Sequence, residues 1–170
     1  MKISTCIRLL LLAALPLLTA GFASGQDARA AEIAVEPHAV GGVDVALLEV
    51  KRTSGNTLTV KWEYRNKTNE KKQLTDERTG WIDPYRLSYQ MYLLDTKNHV
   101  KYTVAQDETK HPIAGKHGAV NKYIFIGPKQ TLATWAKFAA PPADVVKVTV
   151  SIPGAAPFED VTILKEIGRE

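Results

Sequence analysis

The chain has 170 residues, 22 Lys and Arg against 18 Asp and Glu for a formal charge of +4, and a single cysteine. One cysteine excludes an intrachain disulfide framework and a multi-thiolate metal site. Half of the charge excess is Lys2 and Arg8; without them the formal charge is +2, too balanced for the concentrated basic face that nucleic-acid binding uses.

Those two basic residues precede an apolar run over residues 9–18, and small residues follow it. Basic, apolar and small segments in that order predict a signal peptide over residues 1–23, cleaved after Ala23, with cleavage after Ala30 as the alternative. The run is about half of the roughly 20 residues a membrane-spanning helix needs, so no membrane span is expected. Cys6 lies before the apolar core, whereas an acylated cysteine follows it, so no lipid anchor is expected either. Export to a periplasm or to the extracellular space follows, and the about 147 residues that remain suit one domain. Residues 24–42, rich in Ala and Gly, read as a linker in which residues 32–35 add a short edge strand.

From residue 43 the apolar period is two. Residues 43–50 form a strand whose apolar positions change phase between Val45 and Leu48, the mark of a bulge. The Ser54-Gly55-Asn56 turn leads into the clearest strand, where Leu58, Val60, Trp62 and Tyr64 alternate with Thr59, Lys61, Glu63 and Arg65. Four apolar residues on one face predict a central strand. Residues 87–94 and 100–104 flank the polar turn at residues 95–98 as a second hairpin, with Val100, Tyr102 and Val104 facing inward. Residues 122–126 end at Gly127-Pro128-Lys129-Gln130, and residues 132–138 are expected to run back as their partner. Pro141-Pro142 ends that strand. Val146, Val148, Val150 and Ile152 alternate in the next, and a short last strand surrounds residues 161–163. Seven to eight strands separated by turn signals predict an all-β, antiparallel two-sheet sandwich over residues 43–164, with residues 165–170 as a tail.

Residues 48–62, the Asp83-Pro84-Tyr85-Arg86-Leu87 segment, and Trp135-Ala136-Lys137-Phe138 with Pro141-Pro142-Ala143-Asp144 carry a resemblance. Across about residues 43–163 the chain resembles uncharacterised bacterial exported proteins with an immunoglobulin-like, telokin-like domain. The resemblance implies an immunoglobulin-like sandwich and a cell-envelope location. It implies no catalytic residues, since its motifs are those of strands and turns, and such sandwiches host many functions.

No Gly-x-Ser-x-Gly elbow, Walker loop or His-Glu-x-x-His helix is present. The adjacent pairs Asp76-Glu77 and Asp107-Glu108 point to opposite faces or into solvent, unlike a positioned acid-base pair. Asp107, Glu108, His111 and His117 share one loop, the place where a small metal-dependent hydrolase would assemble its site. Lys110 and Lys116 oppose a cation there, and Pro112, Gly115 and Gly118 read as turn residues, so no metal and no cofactor are assigned. The connection over residues 66–86 is longer than compact domains usually carry without a use. It ends in Trp81, Tyr85 and Arg86, the side-chain types that anchor interfaces, and these three are the candidate partner-binding residues. Trp81 and Tyr85 could instead cap the open end of the sandwich. The expectation is a non-enzymatic exported binding module whose partner is a protein or a cell-wall component, with a structural spacer as the plainer alternative.

Overall fold

The computed structural model describes residues 32–75, 83–118 and 123–165. The expected signal peptide, residues 24–31 of the linker, Trp81, Asp76-Glu77 and nearly all of the tail lie outside the described residues. No described helix is long and apolar enough to cross a membrane.

The protein is all-β, built as β1 (Ala34–Pro37), β2 (Val43–Thr53), β3 (Thr57–Asn66), β4 (Lys72–Gln73), the single helical turn α1 (Arg86–Tyr89), β5 (Tyr92–Asp95), β6 (Val100–Thr103), β7 (Phe125–Ile126), β8 (Thr131–Ala139), β9 (Lys147–Ser151) and β10 (Phe158–Thr162). One four-stranded sheet has the order β1-β2-β3-β8 and the other β10-β9-β5-β6; β4 and β7 form a two-stranded ribbon. Every strand pair is antiparallel.

The alternation in β3 sets the centre. Leu58, Val60, Trp62 and Tyr64 are fully buried, and the strand is paired on both sides along nearly its whole length. They meet Met91, Leu93, Val148, Val150 and Ile152 from the second sheet in one core. The phase change in β2 is a bulge: the register with β3 shifts between Leu47 and Glu49, so Val43, Val45 and Leu47 before it and Val50 after it all face inward. β1 extends the first sheet from within the segment expected to be a linker.

Four expectations differ in detail. β8 pairs with β3, not with residues 122–126, because the Gly127–Gln130 turn delivers the Gln130 carbonyl to the Asn66 N–H (2.9 Å). β7 pairs instead with β4. Residues 87–89 form α1 rather than the start of a strand: Asp83 Oδ1 accepts from the Tyr85 N–H (2.8 Å) beside Pro84, and that Asp-Pro turn winds the chain into one helical turn. Val100 is exposed and Tyr102 only partly covered, since β6 is the outer strand of its sheet; Val104, beyond its end, is buried where it bridges Phe138 of β8. Val146 is exposed and Val145 buried instead, because the Val145 N–H bonds Pro142 and turns that side chain inward before β9 begins.

Candidate binding cleft

One end of the two sheets opens into a cleft of about 1280 Å³. It lies between the chain after β1 (His38), the residues around β4 (Gln73, Leu74), α1 and the loop that carries His111. The two segments singled out separately in the sequence, the one with Tyr85 and Arg86 and the one with Asp107 and His111, are walls of this same cleft. The backbone joins them, for His117 N–H donates to the Pro84 carbonyl at 2.9 Å.

Tyr85 is only 7% exposed and belongs to the core. Its carbonyl accepts from the N–H groups of Ser88 and Tyr89 and from Ser88 Oγ, so the residue anchors α1 from below. The ring stays in contact with the cleft lining: His111 lies 6.5 Å away centroid to centroid, and Lys116 Nζ sits 5.5 Å from the ring centre. Arg86, half-buried, opens α1 and lines the wall. Tyr89, one turn on, is 58% exposed and is an accessible aromatic of the site. Sequence reasoning missed it by placing residue 89 inside a strand.

The acidic residues of the cleft are occupied. Asp107 Oδ1 accepts from the N–H groups of Thr109 (2.9 Å) and His111 (2.9 Å) and from Thr109 Oγ1 (2.7 Å). The Thr109 hydroxyl and then the His111 N–H hold this carboxyl below its usual range. Asp83 is likewise spent on the turn before α1. Lys110 and Lys116 make no ion pair with a described residue, which leaves the cleft with cationic groups to offer. His38 is neutral in kind: its Nδ1 accepts the Val40 N–H at 3.0 Å, so the ring proton is on Nε2, and its ring packs edge-on to Tyr64. Burial lowers its pKa, opposed in part by a hydrogen bond to the Pro153 backbone.

No family model matches the chain, and comparison with curated proteins and with solved structures gives no match. The site therefore speaks through its own geometry. Among the described residues no group of three His, Cys, Asp or Glu side chains is placed to hold a metal ion. His111 bonds Thr109 Oγ1 through Nδ1 (2.7 Å), and Glu108 does not line the cleft. His117 turns away, its Nε2 buried beside Gly115 without a partner and its pKa lowered by that burial. What the cleft presents is an exposed Tyr89, the cations Arg86, Lys110 and Lys116, and the amides of Gln73, Gln90 and Gln106.

Proposed function

We propose that the chain is a non-enzymatic binding module of the bacterial cell envelope or extracellular space, exported by residues 1–23, whose immunoglobulin-like sandwich engages a protein or a cell-wall component. The observation that carries this reading is the cleft. Its volume exceeds the roughly 300–1,000 Å³ of pockets that enclose one small molecule, which suits a segment of a larger partner. Its groups are recognition groups: an aromatic ring with a polar tip, three long cations and three side-chain amides. Tyr85 and Arg86 keep a part in it, Tyr85 as the support of the wall and Arg86 as a contact. Trp81 stays a candidate through its sequence context alone. The resemblance to exported proteins with telokin-like domains supports the envelope location.

Residues 24–170 should retain purified cell-wall polymer, or a protein identifiable by mass spectrometry, from envelope and culture-supernatant extracts. A Tyr89→Ala, Lys116→Glu double variant, with an unchanged melting temperature, should lose that material. Equal capture by both proteins, or none by either, overturns the reading.

A further inference from the structure

Apart from the cleft, the seams where the two main sheets meet differ. On the β8 side the edge is sealed by backbone bonds: Ala105 N–H donates to Lys137 O, Lys137 N–H to Ile113 O, and Gly115 N–H to Trp135 O, all at 2.8–2.9 Å. On the opposite side β1 and β10 are, among the described residues, each the outer strand of a sheet, paired on one side only. The two sheets are joined at two points on this side. Just past β1, His38 bridges Ala155 and Ala39 N–H donates to Gly154 O; past the end of β10 the joint is to β2, where Leu164 N–H donates to Val50 O and Arg52 N–H to Leu164 O. Between these joints lies an open groove of about 670 Å³ with Ile33, Leu48, Phe158 and Leu164 in its walls.

Two observations say what the groove takes. Of the seven exposed large apolar residues among those described, Ile33 and Leu164 line the groove and Val35 lies on β1. The charged residues of the groove are Glu36, Glu159 and Asp160, with no basic residue among them and no ion pair to a described residue. Unpaired edges offer a row of N–H and C=O groups to an incoming strand. The acidic rim selects among strands: it repels a second copy of the same groove and attracts positive charge.

We infer that the seam between β1 and β10 is a strand-accepting site for a basic, extended peptide segment of another protein. The free edge of β1, four residues long, offers about 13 Å at roughly 3.3 Å per residue, enough for a short strand. Alternate apolar side chains of the guest fill the groove, its lysines or arginines meet Glu36 and Glu159, and its main chain bonds the open edge. This site is separate from the cleft, and its failure leaves the reading of the cleft untouched.

The test is an amide chemical-shift titration of residues 24–170 with a peptide of about eight alternating valine and lysine residues. Three controls accompany it: the same peptide with glutamate for lysine, the same peptide with alternate backbone nitrogens methylated, and the Glu36→Gln, Glu159→Gln variant, both of whose changes are at solvent-accessible side chains. The expected result is shifts confined to residues 33–37 and 158–164. They should be lost with the glutamate and methylated peptides, and binding should weaken about tenfold in the variant, which lacks two of the rim charges. No seam shifts with the lysine peptide, equal shifts with the glutamate peptide, or shifts at the seam from self-association without peptide would each overturn the inference.

Discussion

The Asn66 side chain is 3% exposed, and every one of its polar atoms is used. Nδ2 donates to the carbonyls of Glu70 (2.7 Å) and Gly127 (2.8 Å), and Oδ1 accepts from the N–H and hydroxyl of Thr68. It thereby locks the end of β3 to the turn that feeds β8. Asn66→Leu keeps the branched outline of the side chain but strands those partners, so the loss expected in urea unfolding is about 2–3 kcal/mol. Arg52 plays a comparable part at the other end, with its guanidinium donating to the carbonyls of Pro141, Pro142 and Val145 at 2.8–3.0 Å. Arg52→Lys cannot reproduce that fork, and a cost of about 1–2 kcal/mol is expected because the site is partly open to solvent. His38 and His117 give a pH dependence. Burial lowers both pKa values from the usual 6.5, so the folded protein favours the neutral rings. A depressed histidine contributes stability that is full above pH 6.5 and is lost as pH falls through the lower folded value. The urea midpoint should therefore drop between pH 7.5 and 5, and His38→Gln should flatten part of that slope. A flat profile in the wild-type protein would contradict the assignment.

At the level of elements, what the sequence made legible is what depends on neighbours along the chain. The β3 alternation, the bulge in β2 and the Ser54-Gly55-Asn56 turn are all local patterns, and all three are present. In that turn Gly55 and Asn56 both have positive φ (74° and 53°), so Gly55→Val should cost about 1–2 kcal/mol in thermal melts, whereas Asn56→Gly is tolerated. The elements that sequence reasoning misplaced are fixed by distant partners. Nothing within residues 122–138 says that the Gln130 carbonyl will be taken by Asn66, or that β4 waits for β7. Val146 and Val145 are equally apolar, and only the Pro142 carbonyl decides which turns inward. The cleft follows the same rule. Its residue types were readable in two segments, but their meeting depends on the bond between His117 and Pro84, and Tyr89 became accessible only because Asp83 and Pro84 start a helical turn.

For the whole molecule, the two sheets share one core, and Phe138 sits where they join: fully buried on β8, and bridged to Val104 at the end of β6. Phe138→Ala should cost about 3–5 kcal/mol, a large share of the 5–15 kcal/mol a domain usually has, and a variant that still melts near the wild-type temperature would show that the seam closes without it. The sealing of that seam also has a consequence for the order in which the fold can form. β2 and β3 make a hairpin early in the chain, yet the outer edge of β3 is paired only when residues 131–139 arrive, and β2 acquires its bond to Leu164 only when residue 164 does. Contacts so far apart in sequence form slowly and reward the chain only at the end. β3 therefore keeps an open edge until the C-terminal part of the chain has been made, and the fold locks only with its last strands.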